Sequence, residues 1–269
     1  MAISPYYFGA FCLSDGQNYF LLSKTLDPPS QQYVVANIAR LDGTKRSGSK
    51  VNERPIQCTV RVVGTTRIDL ENKLDALLGA LQYREQRLTL HANDPNRYFV
   101  ADCVDAPYSF TSGTVLWVDV QIKFVCYTPY AFSATQSNYT MAATAFSGSG
   151  PYTSPVQTLT GSGNVFCYPT IVITNTGSVQ VTQLTLAQQT DGMALTVLQT
   201  LNTNDTLTIT CDPLAANGLT VSYNNSSPIN FVGSFHVIEP SISLWQITAT
   251  AASAPTMSAT WAWVARWAS

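Results

Sequence analysis

The chain has 269 residues and six cysteines, enough for two domains or one large all-β domain, which excludes a miniprotein held together by disulfides. Charged residues make up 11% of it, against about 25% in an average soluble domain, so much of the surface must be neutral and polar; a formal charge of -2 excludes generalised binding of the phosphate backbone. No window approaches the roughly 18 uninterrupted apolar residues of a membrane helix, and Met1 to Phe11 lacks the basic start of a signal peptide, so the expectation is a soluble, unexported protein with no membrane insertion.

In chain order, Ser14-Asp15-Gly16-Gln17 carries turn chemistry that would join two strands. Arg40 to Arg54 follows with five cations, two anions and almost nothing to bury. It reads as a solvated loop or as an arm that docks on another chain, with Arg40, Lys45, Arg46, Lys50 and Arg54 as its contact residues. A phosphate-binding loop is the weaker reading, because Ser49-Lys50 stands where Lys-Ser/Thr must follow Gly43 to Gly48. Ile56, Cys58, Val60 and Val62 then alternate with Gln57, Thr59 and Arg61, giving a strand with one apolar and one wet face. Thr66 opens a Thr-x-x-Asp cap, and Leu70, Leu74, Leu77, Leu78 and Leu81 share one face of an amphipathic helix over about 66–81 that is laid on a sheet. A second turn is expected at Asn93-Asp94-Pro95-Asn96, and Leu116 to Cys126 alternates as a long strand.

Beyond Tyr130 the surface chemistry changes. Positions 1–130 hold 13 cations and 12 anions, whereas the remainder holds Arg266 and the anions Asp191, Asp205, Asp212 and Glu239, with Ser and Thr in their place. The expected organisation is therefore a domain over 1–130, a linker over 131–154 rich in Ser, Gly and Pro, and a second domain over 155–269. Short apolar segments recur at close, even spacing there, separated by turns such as Asn175-Thr176-Gly177, Asp191-Gly192, Asp212-Pro213 and Asn217-Gly218, and mark that second domain as a β-sandwich or jelly roll. Trp261, Trp263 and Trp267 share one parity of its last segment. They read first as sandwich core; the alternative is a sugar-stacking surface that also uses Tyr223 and Trp245.

Chemistry finds little foothold. Cys12, Cys58, Cys103, Cys126, Cys167 and Cys211 are spread widely along the chain, so no Cys-x-x-Cys element exists for metal or redox work, and buried free thiols are expected. His91 and His236 stand without a marked nucleophile, and Asp191, Asp205 and Asp212 all sit in turns. The reading is a non-enzyme with no catalytic residue, metal or cofactor.

The order of elements resembles the distal tail protein family of long, non-contractile-tailed bacteriophages. The helix from Thr66 to Leu81, the charged arm before Pro55 to Val63, the strand ending Phe124-Val125-Cys126-Tyr127-Thr128-Pro129-Tyr130, the stretch Tyr168 to Gly177, Asn204 to Asp212 and the terminal Arg266-Trp267 carry that resemblance. It implies a mainly β chain: an amino-terminal β-rich domain with one helix, then a galectin-like or carbohydrate-module-like sandwich. It also implies a structural virion protein of the tail tip, assembled in the host cytoplasm. Six copies would form a ring joining the tail tube to the baseplate or fibre hub, with DNA only as passing cargo. The implied partners are further copies of itself, the tail tube protein, a tail-tip hub or tail-associated protein, the tape measure protein and receptor-binding proteins. The alternative is a carbohydrate-binding or receptor-binding two-domain β protein.

Overall fold

Residues that alternate in polarity every second position must place one side chain set in a core and the other in water, and the chain satisfies this twice over. A computed structural model describes residues 6–37, 44–91, 94, 96–110, 115–216, 218–226 and 228–268, with the side chains of 33–49 outside the description. The chain divides into unit 1, Met1–Ala134 with Trp267–Ser269, and unit 2, Thr135–Arg266.

Unit 1 contains β1 (Tyr7–Phe8), β2 (Phe11–Cys12), β3 (Tyr19–Leu26), β4 (Gln31–Asn37), β5 (Thr44–Val51), β6 (Arg54–Val63), α1 (Arg67–Leu81), β7 (Gln86–Thr89), β8 (Arg97–Asp105), β9 (Trp117–Cys126) and the start of β10 (Ala131–Ala145). Strands β3, β6, β9 and β8 pair in that order, all antiparallel. Strand β8 is shared: Asp102 to Asp105 pair with β9, Phe99 to Ala101 with β7, and Arg97 and Tyr98 with Ser133 and Phe132 of β10. Both expected strands are present, and Ile56, Cys58, Val60, Val62, Val118, Val120, Ile122, Phe124 and Cys126 point into one core with Leu70, Leu74, Leu77 and Leu81 of α1. The helix starts as its sequence dictates, because Thr66 Oγ1 accepts from the Asp69 N–H at 3.1 Å while Asp69 Oδ2 accepts from the Thr65 N–H at 2.7 Å. Gly64 is required at that entry, since a Cβ there would lie 2.6 Å from the Leu70 nitrogen. Asp15 builds the first turn by accepting from the N–H groups of Gln17, Asn18 and Tyr19 at 2.7–2.9 Å. Asn93 and Pro95 of the second expected turn lie outside the described residues, as does Asn217 of the turn at Asn217-Gly218.

Unit 2 continues β10 and adds β11 (Tyr152–Thr153), β12 (Gln157–Thr160), β13 (Thr170–Asn175), β14 (Val181–Gln188), β15 (Met193–Val197), β16 (Thr206–Thr210), β17 (Thr220–Tyr223), β18 (Phe231–Gly233), β19 (Ile242–Ala251) and β20 (Thr256–Trp267). One sheet runs β17-β16-β13-β20-β10; the other runs β11-β19-β14-β15-β18, with β12 also on β19. Inward residues of both sheets share a single core, among them Ile171, Ile173, Leu184, Leu186, Leu207, Ile209, Trp245, Ile247 and Trp261, which makes this unit a β-sandwich. Buried Asn175 anchors its turn by donating to the Val179 and Leu201 carbonyls at 2.8 and 3.0 Å.

Two expectations about organisation need correcting. The segment 131–145 is not a linker but strand β10, because its Ser/Thr-rich sequence is held by pairing rather than by burial of large side chains. The last residues also leave the sandwich: Ala265 and Arg266 are both buried, which breaks the alternation of β20, and Trp267 packs with the unit 1 core.

Candidate functional site

Strands β4 and β5 form a two-stranded sheet of their own, from Gln31↔Val51 to Asn37↔Thr44. The structureless loop is thus corrected to a hairpin, made possible by Val and Tyr in one strand and by the register of the other. Among the proposed arm residues, Lys45 and Arg46 lie on β5, Lys50 is exposed near its end, and Arg40 lies outside the described residues.

Arg54 is a different residue from the one the sequence suggested. Only 1% of it is exposed. It occupies the apolar parity of β6 with Ile56, Cys58, Val60 and Val62, donates from Nη1 to the Ala268 carbonyl at 3.1 Å and from Nη2 to the Leu26 carbonyl at 3.2 Å, and lies 5.0 Å over the Phe99 ring. Its place in the alternation was the signal that set it apart from Lys45, Arg46 and Lys50. The same corner holds Trp267, stacked 4.1 Å from the Arg97 guanidinium.

The sugar-stacking set is corrected by burial. Trp245 and Trp261 are fully enclosed, Trp263 nearly so, and the first two meet edge to face at 6.2 Å. Trp267 belongs to unit 1, and the Tyr223 hydroxyl donates to Asp205 Oδ2 at 2.6 Å. An enclosed indole offers no face to a pyranose ring, so Trp245, Trp261 and Trp263 fill the core, while Tyr223 and Trp267 are half-buried against the cores of their units.

The acids of unit 2 do turn work. Asp191 accepts from the Met193 N–H at 3.0 Å and Asp212 from the Leu214 N–H at 2.9 Å. Asp205 accepts from Tyr223, from the Asn224 amide at 2.8 Å and from the Asn202 N–H at 2.7 Å; these bonds, Tyr223 first, bring its pKa down to about 2. All six cysteines are free, and burial pushes the thiols of Cys58, Cys126 and Cys211 up to about 12, which makes them inert at neutral pH. No group of three or more His, Cys, Asp or Glu with metal-ligand geometry occurs among the described residues.

His236 is fully buried against Trp245, ring centroids 5.0 Å apart. Its Nε2 lies 3.2 Å from the Leu186 carbonyl, which fixes the proton there, while Nδ1 has no partner. Burial holds its pKa below the ordinary 6.5. The unfolded chain therefore binds a proton that the folded chain refuses, so the stability contributed by neutral His236 is complete above about pH 6.5 and is lost as pH falls towards the depressed folded value. Urea unfolding followed by tryptophan emission at pH 7.5, 6.5 and 5.5 should show this loss, and His236→Gln should flatten the slope across that window. An unchanged slope in the variant would exclude His236 as its source.

Unit 1 also presents aromatic side chains to solvent in fixed poses, which the sequence did not flag. Arg61 lies 4.0 Å over the partly exposed Trp117 ring while Asp119 holds its guanidinium with two bonds of 2.7 and 2.9 Å. Arg67 lies 3.8 Å over Phe110, itself edge to face with Tyr108 at 5.8 Å. Arg61, Trp117 and Asp119 meet only through the β6–β9 register, Arg61↔Asp119 and Val63↔Trp117, so no local pattern marked them.

The described residues thus build two β units, the first with one helix and a separate two-stranded sheet. Residues 14–126 match the family described as the phage tail protein RIFT-related domain. Over the whole chain the fold is similar to that of the SPP1 Dit (gp 19.1) protein, described as a paradigm of the hub adsorption apparatus in phages infecting Gram-positive bacteria: 13% identity, 97% of this chain and 98% of that chain covered, TM-score 0.69. The resemblance to distal tail proteins drawn from the order of sequence elements thus holds at the level of fold. Components of the phage p2 baseplate, in its activated conformation with Ca and with Sr, align over 95% and 93% of this chain and 92% of theirs at 9% identity, with TM-scores of 0.44 and 0.42. No curated protein sequence matches the chain.

Proposed function

We propose that this chain is a structural hub protein of a phage tail tip, six copies of which close into a ring that joins the tail tube to the baseplate or fibre hub. The observation that carries the proposal is the combination, along one chain, of a tail-protein domain over 14–126 and a distal-tail fold over both units. Its place is the virion tail, its partners are further copies and the adjoining tail proteins, and it turns nothing over. DNA is passing cargo: 13 cations against 12 anions over positions 1–130 leave an excess of only one with which to grip phosphates.

The unit 1 surface suits assembly. A closed ring needs two different complementary patches on each subunit. An isolated two-stranded hairpin is marginally stable in water, so β4–β5 gains by lying against another chain, and its cations set the register of that contact. Trp117, Tyr108 and Phe110, held by Arg61 and Arg67, have the composition of interface anchors.

Light scattering of the purified chain should give a mass about six times the 29.2 kDa of one copy, with rings visible by electron microscopy. A chain that stays monomeric throughout the micromolar range overturns the ring. Joining Gln32 to Lys50, which face each other in the hairpin register, through two glycines removes the arm while keeping its base. That variant is expected to melt with the parent and to assemble poorly; full assembly would show that the hairpin is not the arm.

A further inference from the structure

The core of unit 2 encloses polar atoms that the chain itself leaves without hydrogen bonds. Gln188 lies on the inward parity of β14, after Leu184 and Leu186, and is fully buried. The β14–β19 register sets it directly opposite Trp245, a spacing of about 5 Å between the two Cβ atoms. His236, from the segment between β18 and β19, closes the group. Its ring centroid is 5.0 Å from that of Trp245, and its Nε2 lies 3.2 Å from the carbonyl of Leu186, one inward position before Gln188. Three segments distant in the chain thus bring an amide, an imidazole and an indole to one place inside the sandwich.

Gln188 Nε2 and Oε1, His236 Nδ1 and Trp245 Nε1 are all buried and have no partner among the described residues. Buried polar groups in native proteins are nearly always bonded, to protein or to ordered water, because removing their hydration without a replacement is strongly unfavourable. The set is also balanced. With its proton on Nε2, His236 offers Nδ1 as an acceptor; the Trp245 indole only donates, and the Gln188 amide supplies one donor nitrogen and one acceptor oxygen. Donors and acceptors in equal measure are the complement of water, which both donates and accepts. Trp261 and Trp263 also carry unpartnered Nε1 atoms, but a single indole donor falls short of the roughly two to four partners that a buried water needs. An ion has no countercharge here: the imidazole is neutral, and Asp191, whose charge reaches His236, is exposed and engaged with the Met193 N–H. Complete burial of all three side chains leaves no entry for a larger organic ligand.

We propose that Gln188, His236 and Trp245 form an internal water-binding site, in which a water molecule donates to His236 Nδ1, accepts from the Trp245 Nε1–H and bonds to the Gln188 amide. The water lets three polar side chains sit in a core otherwise built from residues such as Leu184, Leu186 and Ile247. Through His236 it also fastens the 234–241 segment to β19, as the Nε2 bond fastens it to β14. The inference concerns the interior of unit 2 and does not depend on the hub reading.

The test combines a high-resolution crystal structure of the full chain with oxygen-17 relaxation dispersion of its water, which counts molecules held for microseconds or longer. The crystal structure is expected to show a water within hydrogen-bond distance of both His236 Nδ1 and Trp245 Nε1. Gln188→Met keeps the length of the side chain and removes both amide atoms, and is expected to hold about one long-lived water fewer per chain than the parent. A dry site overturns the proposal, whether the four atoms stay unpaired or Gln188 bonds His236 or Trp245 directly. Equal numbers of long-lived waters in parent and variant overturn it as well, as does density belonging to anything other than water. If Gln188→Met does not fold, the crystal structure of the parent decides alone.

Discussion

Replacing Arg54 by alanine should cost unit 1 about 3 kcal/mol or more, because two charged hydrogen bonds of roughly 1.5–3 kcal/mol each disappear and their carbonyl partners stay behind. Those partners are Leu26 at the end of β3 and Ala268 near the end of the chain. Arg54 therefore fastens the carboxy-terminal residues to the unit they rejoin. Lysine should not rescue the loss, since a single ammonium on a flexible stem does not reach two carbonyls as a planar fork does. Urea unfolding at constant slope would measure the effect; a loss under about 1 kcal/mol in Arg54→Ala would show that the guanidinium contributes little. Removing Trp267 to Ser269 should destabilise the same unit through the Arg97 stack and the Ala268 carbonyl. The two changes share partners, so their costs should not add.

Trp261→Ala should cost unit 2 about 3–5 kcal/mol, the range for emptying a buried aromatic site. Trp261 is fully buried, pairs with Ile171 across the sheet, and meets Tyr139 at 5.7 Å and Trp245 at 6.2 Å. A domain whose whole stability is about 5–15 kcal/mol is left with a substantial unfolded fraction near its working temperature. Trp261→Phe should keep much of the loss from appearing. In a Trp117→Phe, Trp267→Phe background the remaining indoles report only on unit 2, and iodide should quench them weakly. Strong quenching there would mean that the sandwich interior is open to solvent, and the core assignment would fail.

Elements that obey a local rule were legible in the sequence. Alternation over 56–62 and 116–126 placed β6 and β9, and the leucine spacing with the Thr66 cap placed α1, because period and capping depend on neighbours along the chain. The turn roles of Asp191, Asp205 and Asp212 followed equally from local backbone chemistry. The site was harder to read. Composition marked Arg40 to Arg54 as one charged segment, yet the inward parity of β6 takes Arg54 into the core while Lys50 stays in water. The shared parity of Trp261, Trp263 and Trp267 suggested one face, but consecutive burial of Ala265 and Arg266 ends the alternation before Trp267.

By itself the sequence determined the class of fold, the helix over 67–81 and the contrast in charge between the two halves. Each of these is a property of composition or of residues a few positions apart. Tertiary structure alone decided that residues 131–145 form a strand, that the chain ends in unit 1 and that Arg54 is enclosed. It also brought Gln188 and His236 against Trp245. Those outcomes depend on contacts between segments distant in the chain, such as β14 with β19 or Arg54 with Ala268, whose partners are chosen by joint burial of whole sheets rather than by any local preference.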